Sequence, residues 1–187
     1  MKKAKGPVLF ENTPPSWCGM SADDRVVVTL APKSGSSRIV RWDPKTGARG
    51  SIGIVKENCE TGAVSPTGER VAAVGSHLWL FDEKGTLLVK APAWPKDDVN
   101  ASSVAFSPDG TVIAAVTESA SYSAPIVAWN VSDGKEILRA ELAPMIVGER
   151  RKIGGRRIGF SPEGNRVGNR SAPWPIDRMT DPQPLLM

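Results

Sequence analysis

Short apolar segments separated by tight turns run through the whole chain. The clearest case is Val104-Ala-Phe-Ser-Pro-Asp-Gly110, which leads into a second apolar segment, Val112-Ile-Ala-Ala-Val116. Ser107, Pro108 and Gly110 stand at the first, second and fourth places of the turn, where a type I turn favours these residues. The pattern predicts a β-hairpin.

The same turn recurs along the sequence. It appears as Ala63-Val-Ser-Pro-Thr-Gly68, as Gly159-Phe-Ser-Pro-Glu-Gly164 and, in worn form, as Gly19-Met-Ser-Ala-Asp-Asp24. The turn serines Ser21, Ser65, Ser107 and Ser161 lie 44, 42 and 54 residues apart. The chain is therefore predicted to be built from repeats.

A second marker follows each of the first three turns. It is a strand-like segment that ends in an aromatic residue and an acid or amide, followed by a Gly-bearing turn and one more apolar segment. The three examples are Ile39-Val-Arg-Trp-Asp43, Leu78-Trp-Leu-Phe-Asp82 and Ile126-Val-Ala-Trp-Asn130. One unit thus contains four predicted strands in about 42 to 44 residues, which is the period of a β-propeller blade.

These units resemble the blades of WD-repeat β-propellers, with Trp42-Asp43, Phe81-Asp82 and Trp129-Asn130 at the place of the family dipeptide. The phrase Phe-Ser-Pro-Asp-Gly is also typical of TolB-like propellers. No unit has the Gly-His pair of the WD family, and the loops 31–37, 75–77 and 118–124 lack the Asp of its buried polar network. The resemblance implies a divergent all-β propeller that is stabilised mainly by apolar packing.

The number of blades is small for a closed ring. The predicted units are approximately 16–55, 61–90, 101–141 and 157–177, and the fourth is degenerate because 165–177 has a poor strand pattern. An open ring would expose apolar faces. Three arrangements remain open: a fragment of a longer propeller, two copies forming one ring by self-association, or residues 7–10 completing the last blade as an outer strand.

Composition is that of a folded, turn-rich protein. The 187 residues are 40% hydrophobic and include 18 Gly and 16 Pro, which favours many short elements over disorder. No apolar run is long enough for a membrane span, and the sequence predicts no signal peptide. Two isolated cysteines, Cys18 and Cys59, favour free thiols in a reducing compartment, and hence a cytoplasmic location.

Signatures of enzymes and of bound cofactors or metals are missing from the sequence. His77 is the single histidine, so a multi-histidine metal site is excluded and a Ser-His or Cys-His dyad would have to use this residue. We interpret His77 as satisfying a loop. The Gly-Gly-Arg-Arg stretch at 154–157 matches no phosphate-binding fingerprint, and the acid pairs at 23–24 and 97–98 lack the further ligands of a calcium loop.

Candidate binding residues lie in the connecting segments. Trp42, Trp79 and Trp129 are predicted core residues, whereas Trp17, Trp94 and Trp174 stand in Pro-rich sequence, where an exposed Trp could anchor a partner and packing over a blade edge is the alternative. A long connector, 143–156, enlarges the third step of the repeat. It and the residue after it contain a basic cluster: Arg150, Arg151, Lys152, Arg156 and Arg157.

This connector accounts for much of the net charge of +4, because residues 1–148 hold 16 basic and 16 acidic side chains and residues 149–187 hold 8 and 4. The cluster has three interpretations, in this order: a solvated connector, a site that binds an acidic protein surface, and a site that binds nucleic acid. Aromatic residues for base stacking are missing from it. The resemblance implies a non-catalytic protein-interaction scaffold. The alternatives are an accessory propeller of a TolB-like enzyme or transport system, and a truncated gene product without independent function.

Overall fold

A computed structural model describes residues 16–22, 24, 27–33, 35–93, 101–117, 124–142, 157–169 and 172–175. These residues form β-strands joined by turns and contain no helix. None of the described elements is therefore a helix long and apolar enough to cross a membrane. The predicted all-β class is confirmed.

The strands form four antiparallel sheets in chain order. Sheet 1 contains β1 (Trp17–Met20), β2 (Val27–Lys33), β3 (Ser36–Trp42) and β4 (Arg49–Val55). Sheet 2 contains β5 (Thr61–Val64), β6 (Arg70–Val74), β7 (His77–Asp82) and β8 (Leu87–Pro92). Sheet 3 contains β9 (Ala101–Phe106), β10 (Val112–Thr117), β11 (Ala124–Asn130) and β12 (Glu136–Leu142). Sheet 4 contains β13 (Gly159–Phe160), β14 (Arg166–Asn169) and β15 (Ala172–Pro175).

Within each sheet, every strand pairs with the next strand along the chain. The first strands of successive sheets contact one another, since β1 lies against β5, β5 against β9 and β9 against β13. Three of the sheets have the four antiparallel strands that a propeller blade requires. The described sheets are thus stacked like consecutive blades.

The recurring Ser-Pro turn has the predicted geometry. In each turn the glycine N–H donates to the serine carbonyl oxygen at 2.9 Å, and Gly68, Gly110 and Gly164 have φ between 73° and 76°. The serine hydroxyl accepts the N–H of the residue five positions later, at 2.9 Å for Ser107 and Val112. The divergent turn at residues 21–24 has the equivalent bond, from the Asp24 N–H to the Ser21 carbonyl oxygen, and Asp24 has a φ of 58°.

The acid or amide after each aromatic residue closes the following turn. Asp43 Oδ1 accepts the N–H of Lys45 at 2.8 Å, and Asp82 Oδ1 accepts the N–H of Lys84 at 2.9 Å. Asn130 Oδ1 accepts the N–H of Ser132 in the same way, also at 2.9 Å. The side chain thus bonds to the main chain two residues later, as in an Asx turn.

Three apolar clusters hold the sheets together, one between each pair of neighbours. The central strands β6 and β10 are buried on both faces. In β6, Val71 and Ala73 pack toward sheet 1, whereas Ala72 and Val74 pack toward sheet 3. This alternation is the period of two of a strand, and it explains why the central strands have no polar face.

The packing is the same at each of these interfaces. In the two residue pairs nearest the Ser-Pro turn, a sheet presents large side chains to the preceding sheet and alanines to the following sheet. The large residues are Val64 and Val71 in sheet 2, Phe106 and Ile113 in sheet 3, and Phe160 and Val167 in sheet 4. The alanines are Ala63 and Ala72 in sheet 2, and Ala105 and Ala114 in sheet 3.

Sheet 4 has three strands in the described residues, against four in each other sheet, and the segment 165–177 contributes two of them, β14 and β15, although its pattern is poor. The expectation that Trp17 stands in a connector is wrong. Trp17 lies in β1 rather than in a connecting segment and packs against the cluster between sheets 1 and 2. Trp42, Trp79 and Trp129 lie on strands, and Trp129 is fully buried in the core.

We predict that the Ser-Pro turn is a local source of stability. Ser107→Ala removes the acceptor of the Val112 N–H and should lower the free energy of unfolding by about 1–3 kcal/mol, because the Ser107 position is buried. The control is Ser132→Ala, which removes an exposed hydroxyl from another turn and should cost under about 0.5 kcal/mol. Equal losses in urea unfolding would contradict this interpretation.

Candidate functional site

Glu57 is the centre of the densest polar cluster in the described part of the chain. It lies in the loop between β4 and β5, and both of its carboxylate oxygens accept hydrogen bonds from the β6–β7 hairpin. Oε1 accepts the Trp79 indole N–H at 2.7 Å and the His77 main-chain N–H at 3.1 Å. Oε2 accepts the Ser76 hydroxyl at 2.9 Å and lies 3.0 Å from His77 Nδ1.

A glycine permits this close approach. Gly75 is the first residue of the β6–β7 turn, and a Cβ at this position would lie 2.7 Å from the Asn58 carbonyl oxygen and 2.9 Å from Glu57 Oε1. Any side chain at residue 75 would push the loop away from the hairpin. The short Gly-Ser turn therefore positions Ser76 and His77 directly on the carboxylate.

The same loop is also fastened to sheet 1. The Cys59 main-chain N–H donates to Ser37 Oγ at 2.8 Å, and Ser37 on β3 is buried. The loop that contains Glu57 and Cys59 is thus bonded to sheet 1 on one side and to sheet 2 on the other. Its polar groups join two sheets that otherwise meet through apolar side chains.

The electrostatics of the cluster keep Glu57 ionised. Burial acts to raise the pKa of Glu57, but the hydrogen bonds from Trp79, His77 and Ser76 outweigh it and hold the pKa below its usual value of 4.5. A carboxylate that accepts several hydrogen bonds is stabilised in its charged form. The cluster therefore contains a fixed negative charge.

Cys59 is not a reactive thiol. Burial, together with the negative charge of Glu57 nearby, raises the pKa of Cys59 far above its ordinary value. A nucleophilic cysteine needs the opposite environment, one that lowers its pKa. Cys18, the other free thiol, is exposed on β1.

The arrangement of Ser76, His77 and Glu57 is not that of a catalytic triad. In a triad the serine contacts one ring nitrogen of the histidine and the acid holds the other. Here Ser76 Oγ lies 3.2 Å from Nδ1 of His77, and the carboxylate of Glu57 contacts the same nitrogen. The three groups form a closed triangle in which Ser76 already donates to Glu57, so they hold the hairpin in place.

Trp79 is covered on one face by a cation. The ammonium group of Lys90 lies 4.5 Å from the centroid of the Trp79 ring, and the His77 ring is tilted by 60° at a centroid distance of 6.2 Å. The indole is thereby held by a hydrogen bond, a cation–π contact and an aromatic contact. Within the described ranges, no group of three or more His, Cys, Asp or Glu side chains could hold a metal ion.

Beside the apolar cluster between sheets 1 and 2 there is a polar network that the sequence analysis did not predict. The loop 75–77 does lack an Asp, but Glu57 supplies a carboxylate from a different loop. Sequence reasoning missed Glu57 because it stands between two units and belongs to neither repeated marker. The interpretation of His77 as a residue that satisfies a loop agrees with its contacts.

The predicted binding residues are only partly described. Arg157 is exposed just before β13. Trp174 lies on β15, where its main chain pairs with Val167. Its side chain is not among those that the structure describes. Arg150, Arg151, Lys152, Arg156 and Trp94 lie outside the described residues.

No protein-family model matches the chain, and the comparison with curated proteins finds no significant match. Functional inference therefore depends on the geometry of the chain itself.

We predict that Glu57 fastens sheet 1 to sheet 2. Glu57→Gln should lower the free energy of unfolding by about 1–3 kcal/mol at neutral pH, because charge-assisted hydrogen bonds become neutral ones. The loss should shrink as the pH falls below about 4.5, since a carboxylate with a lowered pKa stabilises the fold above its unfolded-state pKa and loses that effect as it protonates in the folded state. Urea unfolding at several pH values measures both effects.

Glu60→Gln is the matched control for this prediction, because Glu60 is an exposed acid of the same loop. It should leave both the stability and its acid dependence nearly unchanged. If the two variants behaved alike, Glu57 would not be the fastening residue.

Proposed function

We propose that this chain is a non-catalytic protein-interaction scaffold, a segment of a divergent β-propeller of WD-repeat type. The stack of antiparallel sheets supports the architecture, because successive first strands contact one another as they do around a propeller axis. The turns that follow Trp42-Asp43, Phe81-Asp82 and Trp129-Asn130 support the repeat type. Free Cys18 and Cys59 support a cytoplasmic location.

One observation carries the non-catalytic part of the proposal: the groups best suited to chemistry are occupied by the scaffold. Glu57 and the single histidine, His77, bind each other and their own hairpin. Asp43, Asp82 and Asp109 all have pKa values held below the usual range by hydrogen bonds from their own turns. These side chains close turns and loops, as expected of a rigid support.

We place the binding surface on the loops and connectors, which are where rigid β scaffolds commonly bind partners. The connector 143–156 and Arg157 form the largest local excess of charge in the sequence, whereas residues 1–148 are balanced. A cluster of cations attracts an acidic protein surface over about 10 Å at moderate salt. An acidic polypeptide is accordingly the partner class that we propose.

We predict that the variant Arg150→Glu, Arg151→Glu, Lys152→Glu weakens the binding of fluorescent poly-glutamate by at least about tenfold at low salt and flattens the salt dependence. Titration by fluorescence anisotropy at two salt concentrations measures this. The melting temperature should stay nearly unchanged if the cluster is solvated, as the sequence predicts, because charges on the surface usually contribute under about 0.5 kcal/mol each.

The matched control reverses three exposed turn lysines, Lys45, Lys84 and Lys135, and so changes the net charge by the same amount. It should retain most of the binding. If both triple variants lost binding equally, only net charge would matter; if neither did, the connector would not be the binding surface.

A further inference from the structure

We propose that two copies of this chain associate head to tail, with sheet 1 of one copy packed on sheet 4 of the other. The two surfaces are the outer face of sheet 1, which points away from sheet 2, and the outer face of sheet 4, which points away from sheet 3. The proposal concerns different residues from the basic connector and does not depend on the proposed binding of an acidic partner.

The outer face of sheet 1 combines apolar side chains with two arginines and a serine. Residues that pair directly across antiparallel strands lie on the same face of a sheet. The register therefore places Met20, Cys18, Val40, Trp42 and Ile54 on this face, together with Arg38, Arg49 and Ser51. Met20 is 56% exposed and Ile54 is 61% exposed, which are the two largest exposures among the large apolar side chains of the described residues.

The repeat shows what such a face does elsewhere in the molecule. Trp42 occupies the place of Phe81 in sheet 2 and of Trp129 in sheet 3, since each is the aromatic residue before the acid or amide. Phe81 is only 5% exposed in the cluster with sheet 1, and Trp129 is only 1% exposed in the cluster with sheet 2. The equivalent residues thus pack on a preceding sheet, and sheet 1 is the first described sheet of the row.

Met20 follows the same rule. It stands one residue before the turn serine, as do Val64, Phe106 and Phe160, and each of these three packs toward the preceding sheet. Cys18 stands three residues before its turn serine, as do Val104 and Ile158. Val104 is a core residue of the cluster between sheets 2 and 3, and Ile158 of the cluster between sheets 3 and 4. On the outer face of sheet 1, Met20, Cys18 and Trp42 therefore occupy the repeat positions of a sheet-packing surface.

The outer face of sheet 4 has the complementary shape. Gly159 and Gly168 pair directly across β13 and β14. They stand in the places of Ala63 and Ala72, and of Ala105 and Ala114, which are the small residues that receive the large side chains of the following sheet. Gly159 is exposed, and a Cβ built on it would meet no atom within 4 Å.

The correspondence between the outer faces of sheets 1 and 4 indicates that a second copy of the chain covers them. Beside the Ser-Pro turns, the molecule repeatedly packs large side chains of one sheet onto small residues of the sheet before it. At the same level, the outer face of sheet 1 presents Met20, and the outer face of sheet 4 presents Gly159 and Gly168. A second copy offers both at once. The described residues of two copies contain eight sheets, which is within the usual 4 to 8 blades of a closed propeller, and a closed arrangement covers both outer faces in each copy.

The first test is the molar mass of the full chain, measured by light scattering over a range of concentrations. We expect a dimer that the pair of substitutions Met20→Glu, Ile54→Glu converts to a monomer with an unchanged far-UV spectrum. The matched control is Leu87→Glu, Leu88→Glu on β8, which also replaces two exposed apolar side chains, at 45% and 43% exposure; it should remain dimeric.

The second test identifies the contact between copies. In the chain, Val104 lies in one cluster with Ala63, and Ile158 lies in one with Ala105; the equivalent pair between copies is Cys18 and Gly159. A Cys18→Ser, Gly159→Cys variant mixed with the unaltered chain and oxidised should form a disulfide from Cys18 to the new thiol, found by mass spectrometry. Cys59 should not interfere, because it is buried.

Three results would overturn the proposal. The first is a monomer at every concentration, which would leave the outer faces to some other occupant. The second is a dimer that persists in the Met20→Glu, Ile54→Glu variant. The third is a cross-link between Cys18 residues of two unaltered copies in place of the mixed disulfide, because it would mean that sheet 1 meets sheet 1.

Discussion

Sheets 2 and 3 must each bury both of their faces. The central strands impose this, because β6 and β10 are apolar at each position from Val71 to Val74 and from Ile113 to Val116 and therefore have no side that water could cover. Burying a large aliphatic side chain contributes about 1.5–3 kcal/mol, while a whole domain is stable by only about 5–15 kcal/mol. Stability in such a row comes mainly from the interfaces between neighbouring sheets, as in other repeat proteins.

Apolar packing alone does not determine how one sheet is placed on the next, and the polar groups provide that alignment. Glu57 binds the β6–β7 hairpin while Cys59, two residues later, is bonded to Ser37 of sheet 1. Arg41 on β3 likewise donates to the carbonyl of Glu83 in sheet 2 at 3.2 Å. These bonds require one relative position of the two sheets, whereas methyl groups would tolerate several.

The turns were predictable because their chemistry is local. Ser107, Pro108 and Gly110 each have a conformational reason to be where they are, and so has the acid after each strand-ending aromatic. The strands of sheet 4 were not predictable in the same way. Gly168 in β14 and two prolines in β15 weaken the strand pattern, and pairing with the neighbouring strand and packing on sheet 3 decide the outcome.

The polar cluster was beyond prediction for a related reason. Glu57 reaches Trp79 across 22 positions of sequence, and no motif links the two, because the contact exists only after the loop that contains Glu57 has folded onto the β6–β7 hairpin. Trp17 was wrongly assigned to a connector because Pro14, Pro15 and Ser16 precede it. Its distance from the turn serine Ser21 instead makes it the start of a first strand. Repeat position is thus a better guide than local composition in this chain.

Amide hydrogen exchange followed by mass spectrometry would test most directly whether stacking of sheets stabilises the fold. If it does, the amides of β6 and β10, which have a sheet on each side, will exchange slowest, and those of β3 will become slower as the protein concentration rises. Equal protection of all four sheets, or protection of β3 that is independent of concentration, would contradict it.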